Sequence, residues 1–118
     1  MPKFSVSSSS PELLNSVAEY FKVLSEVSRL TILDTLRSSG QMNVKEIGEV
    51  TGLGQANLSK HLKVLTQAGL LRRQPIGVSV YYEIADPIIF DLCELVCGQV
   101  KERIVQQVQY FDDLAFDS

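Results

Sequence analysis

The sequence is poor in the residues that build metal centres and disulfide frameworks. Its 118 residues include two cysteines and a single histidine, His61. A lone histidine cannot form a histidine-rich metal site within one subunit. Two cysteines without an export signal are typical of reduced thiols in the cytosol, so we expect a cytoplasmic protein.

Long apolar segments are also missing. No run approaches the roughly 18 apolar residues that a membrane-spanning helix requires, so no membrane partner is expected. Residues 1–10 lack the apolar stretch of an export signal and are predicted to be a disordered tail. We expect one domain over residues 11–110, followed by a C-terminal tail over residues 111–118.

Acidic residues are absent from one long window of an acidic chain. The formal net charge is −3, yet residues 50–82 contain four basic side chains and no acidic one. Residues 1–49 contain five basic and six acidic side chains, and residues 83–118 contain two basic and eight acidic ones. An all-basic window indicates a local nucleic-acid surface, and chance clustering on a solvated face is the alternative.

The N-terminal part of the chain has two helix signals. Ser10 followed by Pro11 predicts a helix start, and apolar residues at helical spacing continue the helix to about Leu24. Ser28 is expected to cap a second helix that ends near Gly40.

The next segment predicts two helices joined by a tight turn. Asn43 followed by Glu46 resembles a capping box, which starts the first of these helices. A glycine-containing turn over residues 51–54 leads into the second, over residues 55–68. The leucines spaced along one face of this second helix are expected to bury against the core: Leu58, Leu62 and Leu65. Helix, turn and helix is the order of the motif whose second helix enters a DNA groove.

Two strand-like runs follow. Residues 70–74 and 78–84, joined by residues 75–77, predict a β-hairpin. Within the second run Val78, Val80 and Tyr82 are expected on a buried face, because they alternate with Ser79, Tyr81 and Glu83. The predicted fold is therefore mainly α with a β-hairpin wing (α+β), a winged helix-turn-helix.

The last helix is predicted to need a partner. Asp86 followed by Pro87 starts a helix that reaches about Gln109. Its apolar arc is wider than so short a chain can bury, so we expect a homodimer through the first and last helices. A monomer with an amphipathic end helix is the alternative. The predicted interface residues are Leu13, Leu14, Val17, Leu92, Val96, Val100 and Ile104.

The polar face of the second helix of the motif carries the predicted DNA contacts. Gln55 and Asn57 are suited to paired hydrogen bonds with adenine, and Ser59 to a base edge or phosphate. His61 is expected either to contact phosphate or to pack partly buried. Basic side chains provide affinity without sequence information. The predicted phosphate ligands are Lys60, Lys63, Arg72 and Arg73.

Two runs of sequence resemble the ArsR/SmtB family of bacterial repressors. One extends from Ser59 to Leu71 and the other from Phe21 to Leu33, within a likeness over roughly residues 15–105. The resemblance implies a dimeric repressor on a double-stranded DNA operator, released when a metal ion or thiol-reactive signal binds. It implies that the hairpin from Arg73 to Val80 is the wing. The residues that it places against DNA are Gln55, Asn57, Ser59, Lys60 and His61.

The sensing sites of that family are incomplete in this chain. The arsenic-type Cys-x-Cys pattern corresponds to residues 43–46, which contain no thiol. The zinc-type site keeps Asp86 and Glu102 but has Ile88 and Gln99 in place of its histidines, so we expect no zinc site there.

Cys93 and Cys97 remain as the candidate sensor. The thiol pair of persulfide-sensing members has Asp34 at its first position here, so that pair is also incomplete. Cys93 and Cys97 are four residues apart and share a helical face. Their thiolates suit arsenite or another soft metal ion, or reaction with reactive sulfur or an oxidant. The alternative is that both pack the dimer interface as small apolar residues.

Two other classes of function fit part of the sequence. A thiol enzyme would need Cys-x-x-Cys spacing or a nearby general base, and the cysteine pair has neither, so no enzyme is expected. A winged helix that binds DNA constitutively, or binds proteins, would carry no sensor. An architectural DNA binder would be basic over its whole surface, unlike this chain.

Overall fold

The computed structural model describes residues 10–117, which form five α-helices and a three-stranded antiparallel sheet. The predicted fold is confirmed. The chain divides into a unit that ends at Asp86 and a unit that begins at Pro87. Of the predicted N-terminal tail, residues 1–9 lie outside the described residues. The elements are α1 (Pro11–Val23), α2 (Val27–Ser39), β1 (Met42–Asn43), α3 (Val44–Thr51), α4 (Gln55–Gln67), β2 (Leu71–Ile76), β3 (Ser79–Ile84) and α5 (Ile88–Asp117).

The starts of α1 and α2 differ in how they are capped. The side chain of Ser10 accepts a hydrogen bond from the backbone N–H of Leu13 at 3.1 Å, as predicted. Helix α2 starts earlier than predicted, after Glu26, which has extended backbone angles and forms no side-chain cap. The prediction that Ser28 caps α2 was therefore wrong, because Ser28 lies inside the first turn.

The helix-turn-helix connection is built by a capping box and a left-handed glycine. The Asn43 side chain accepts from the Glu46 N–H at 2.8 Å, and the Asn43 N–H donates to the Glu46 carboxylate at 2.9 Å, as predicted. Helix α3 ends at Thr51 and is capped by Gly52, whose φ of 74° lies in the left-handed region that favours glycine. The chain can therefore turn at once into α4.

The core of the first unit lies between α2, α3, α4 and the sheet. The three leucines predicted on the inner face of α4 are buried, with exposures of 2% for Leu58, 1% for Leu62 and 0% for Leu65. Their burial fixes the rotation of α4 about its axis, so the opposite face points outward. The other buried apolar side chains of this unit are Ile32, Leu33, Leu36, Met42, Ile47, Leu70, Leu71 and Tyr82.

The wing is the β2–β3 hairpin of a sheet with strand order β1-β3-β2. Ile76 pairs with Ser79, so the turn is Gly77-Val78 rather than the predicted residues 75–77. Gly77 has a φ of 62° and Val78 has a negative φ, as in a type II′ turn. Val78 was wrongly predicted to be buried. Because it occupies the turn, it is fully exposed, at 106%.

Helix α5 is longer than predicted. It extends from Ile88 to Asp117, past the expected end near Gln109, so residues 111–117 of the segment predicted as a C-terminal tail continue the helix. No proline or glycine follows Gly98 to interrupt it. Within residues 10–117, none of the helices has the combination of length and hydropathy that crossing a bilayer requires.

Candidate nucleic-acid interface

Helix α4 presents a polar face to solvent. Gln55, Asn57 and Ser59 are all exposed, and so are Lys60 and Lys63. The helix starts after Gly54, so no side chain caps its first turn. The first backbone N–H groups therefore lack a side-chain acceptor. Amides, a hydroxyl, ammonium groups and helix-end N–H groups together can contact both bases and phosphates.

The cations near this face differ in whether they are already paired. Among the described residues, Lys60, Lys63 and Arg73 form no ion pair. Arg72 instead contacts Glu83 at 3.0 Å and donates to the Ala85 carbonyl at 3.4 Å. This pairing follows from the sheet register, which places Arg72 opposite Glu83. Arg72 is thus partly neutralised within its own hairpin.

The wing carries little charge beyond its base. No charged residue occurs from Gln74 to Tyr82. Its tip is apolar, with Ile76 46% exposed beside the fully exposed Val78. The basic side chains of residues 50–82 therefore lie on α4 and at the base of β2.

His61 lies on the buried side of α4. It is 7% exposed, and its Nδ1 accepts a hydrogen bond from Arg29 Nε at 3.2 Å. This geometry favours the packing role that we considered beside phosphate contact, and a DNA contact by His61 stays a prediction. The sequence patterns did not identify Arg29, because its contact with His61 joins residues 32 positions apart.

The two cysteines lie on α5. Cys93 is half-buried and Cys97 is exposed, and both are thiols rather than a disulfide. Within the described part of the chain, no group of three or more His, Cys, Asp and Glu residues is arranged to hold a metal ion. The pair thus offers two sulfur ligands from one subunit.

The predicted interface residues are accessible in the single chain. Leu13 and Leu92 are half-buried, and the other five are exposed. Exposures reach 53% at Leu14 and 54% at Ile104. Apolar side chains on this scale are typical of surfaces that associate.

The order of helix, turn, helix and hairpin, with a polar outer face on the second helix, defines a winged helix-turn-helix DNA-binding protein. A helix-turn-helix domain family matches residues 24–74. The chain is 34% identical to the arsenical resistance operon repressor of Bacillus subtilis over 88 residues, which cover 73% of this chain and 84% of the relative.

Solved structures agree with this relationship. Mycobacterium tuberculosis Rv0081 matches with a TM-score of 0.76 and 32% identity, over 85% of this chain and 99% of that one. The homodimeric winged helix-turn-helix domain of Mycobacterium bovis Mb0332, a possible ArsR-family regulator solved by NMR, matches with a TM-score of 0.70 and 32% identity, over 86% and 92% of the two chains.

The chain belongs to the ArsR/SmtB family of winged helix-turn-helix transcriptional repressors. It is accordingly a DNA-binding regulator and not an enzyme.

Proposed function

We propose that this protein is a homodimeric repressor that binds a double-stranded operator through α4 and the wing, and that a thiol-directed signal at Cys93 and Cys97 releases it. The observation that carries the DNA part is the polar outer face of α4. Three leucines on the opposite face of that helix are buried in the core. The exposed amides and lysines therefore form a fixed surface.

Different side chains of this face contact the bases and the phosphates. Gln55 and Asn57 hydrogen-bond base edges in the major groove, where paired contacts distinguish adenine. Lys60, Lys63 and Arg73 bind phosphates, and Ser59 assists at a base edge or phosphate. Arg72 contributes less than these cations, because a phosphate must compete with its existing ion pair to Glu83.

Two copies of the chain present two reading helices to one duplex. The exposed apolar side chains of α1 and α5 support a homodimer, since a second copy would remove them from water. The homodimeric Mycobacterium bovis relative supports the same assembly. A two-fold dimer binds two half-sites, so the operator is expected to be an inverted repeat.

The thiol pair suits a bridging ion better than a direct disulfide. Residues at i and i+4 of a helix have Cβ atoms about 5–6 Å apart, whereas a disulfide needs about 3.5–4.5 Å. Arsenous acid, As(OH)₃, can condense with the two thiols, forming two As–S bonds and releasing two waters without any redox change. The arsenical resistance repressor among the relatives supports this class of signal.

Release follows from linkage between the two sites. A ligand at Cys93 and Cys97 lowers operator affinity only to the extent that it binds the DNA-free conformation more tightly. The operator in turn lowers affinity for the ligand by the same factor.

Fluorescence anisotropy on DNA from upstream of its own gene tests the proposal. Arsenite should release the reduced wild-type protein and leave the Cys93→Ser/Cys97→Ser variant bound. That variant contains no thiol at all, because the chain has two cysteines. A persulfide and hydrogen peroxide test the other thiol chemistries in parallel.

Three other outcomes count against parts of the proposal. Release of both proteins by arsenite would place the sensor elsewhere. Binding by both without response to any of these agents would mean that the cysteines only pack. A wild-type protein that binds no upstream DNA would contradict the proposal that the protein represses its own gene.

A further inference from the structure

One buried guanidinium joins three helices of the first unit. Arg29, near the start of α2, is 9% exposed. Its Nε donates to His61 Nδ1 on α4 at 3.2 Å, and its Nη1 donates to the Val23 carbonyl of α1 at 3.2 Å. Its Nη2 lies 2.6 Å from a carboxylate oxygen of Glu26. Each nitrogen of the guanidinium thus contacts a different residue.

The contact with Val23 completes the end of α1. The last carbonyls of a helix have no partner inside it. The carbonyls of Phe21 and Lys22 accept from the N–H groups of Leu24 and Ser25, both at 3.1 Å. The Val23 carbonyl accepts from Arg29 instead, and a cation is favourable at this negative end of the helix dipole. The side chain therefore holds α1 by its terminus.

Helix α1 has few other anchors within this unit. None of its residues is buried. A groove of about 680 Å³ separates it from the C-terminal half of α4, with Ser16 and Tyr20 on one side and Val64 and Gln67 on the other. The spacing of the two helices is thus not set by close packing along their length.

We infer that Arg29 is a positioning residue that sets the spacing between α1 and the reading helix α4. The inference rests on the proposed function, in which α1 belongs to the dimer interface and α4 reads the operator. In a dimer this spacing determines how far apart the two copies of α4 lie. Arg29 therefore controls which half-site separation the repressor accepts.

Lysine cannot replace arginine in this role. A guanidinium is planar and presents its donors in a fixed fork, whereas an ammonium is a single point on a flexible stem. Arg29→Lys keeps the charge but cannot make the three contacts simultaneously. Arg37→Lys is the matched control, because Arg37 lies on the same helix and is exposed.

Binding to operators of altered spacing tests the inference. Anisotropy is measured on the upstream inverted repeat and on duplexes with one or two base pairs inserted between its halves. Insertions should weaken wild-type binding roughly tenfold or more, as a mismatched base pair does. Arg29→Lys should show much less of this preference, and Arg37→Lys should keep it. An unchanged preference in folded Arg29→Lys would overturn the inference.

His61→Leu provides a second variant should Arg29→Lys fail to fold. It removes the acceptor on α4 and leaves the α1 contact of Arg29 in place. The same loss of spacing preference is expected. An equal loss of affinity on every duplex, with a weaker salt dependence, would instead show that His61 contacts phosphate directly, and would count against the inference.

A measurement without DNA separates this inference from the proposed function. Because Nδ1 of His61 accepts from Arg29, neutral His61 carries its proton on Nε2. The ¹⁵N shifts of the imidazole should report this tautomer in the wild type and in Arg37→Lys, and a mixture of tautomers in Arg29→Lys. Identical spectra in all three would contradict the Arg29 contact, even in a protein that binds no operator.

Discussion

Helices α4 and α5 both expose a long face to solvent, and the two faces are opposite in kind. The outer face of α4 is polar and basic, and its inner face is held by buried leucines. Helix α5 exposes large apolar side chains, such as Val100 and Ile104, and contains two basic and six acidic residues. The first surface suits a polyanion, and the second suits another protein surface.

The difference shows why the net charge of a whole chain is a poor guide to its partners. The overall charge of −3 describes neither face. Charges more than a Debye length apart, about 8 Å at physiological salt, are largely screened from one another. A phosphate beside α4 is therefore affected mainly by the charges close to it, which include Lys60 and Lys63 on the same helix.

Reversing charge on the two helices should give the largest contrast. Lys60→Glu/Lys63→Glu should weaken operator binding roughly 100-fold near physiological salt, because repulsion replaces attraction at two phosphates. Lys101→Glu/Arg103→Glu, the matched change on α5, should alter it less than about threefold. Anisotropy titrations measure both, and equal losses of affinity would remove the distinction between the faces.

Adding a carboxylate to the apolar stripe of α5 should affect assembly. Ile104→Asp should weaken dimerisation by roughly 10- to 100-fold, because an unpaired charge in an interface loses its hydration. Gln106→Asp adds the same charge at a polar position of the helix and should change dimerisation little. Analytical ultracentrifugation gives both dissociation constants. A dimer equally stable in both variants would place the interface away from Ile104.

Removing one amide from α4 should reduce specificity without reducing salt dependence. Asn57→Ala should cost about 1–3 kcal/mol of operator binding for each subunit, the usual value of a paired base contact. Binding to unrelated DNA and the slope of log K against log salt should be unchanged. A reduced slope would instead assign Asn57 to a phosphate. Ser38→Ala, at an exposed position of α2, is the control.

The smallest predicted effect is the difference between Arg72 and Arg73 in their contribution to the salt dependence of DNA binding. Arg73→Ala should make the slope of log K against log salt shallower by about 0.9 for each phosphate that the side chain neutralises. Arg72→Ala should reduce it by less, because Glu83 already pairs with this guanidinium. Measurements at several salt concentrations compare them directly. A larger effect at Arg72 would mean that the ion pair opens on DNA.

Local patterns predicted those parts of the fold that depend on neighbouring residues. The capping box at Asn43, the apolar spacing of α4 and the order of the elements are all properties of short segments, and the structure confirms them. The position of the wing turn was wrong because Pro75 suggested a loop, whereas it pairs with Val80 inside the hairpin. Strand β1 is two residues long and leaves no periodicity to detect.

The parts that sequence patterns missed depend on contacts between distant segments. Arg29 and His61 are 32 positions apart, so no local spacing links them. The pairing of Arg72 with Glu83 depends on the exact register of two strands, which a turn displaced by one residue would change. Helical periodicity thus predicts which cations and histidines face outward. Only the tertiary structure shows which of them already form a hydrogen bond or an ion pair within the protein.

The salt dependence of operator binding by the reduced dimer tests the central claim most directly. Lys60, Lys63 and Arg73 are the cations of the interface without an ion pair among the described residues. With three phosphate contacts from each subunit, log K should fall with log salt with a slope of about −5. In Lys60→Ala/Lys63→Ala the slope should approach about −2. A wild-type slope near zero, or the same slope in the variant, would contradict DNA recognition by the outer face of α4.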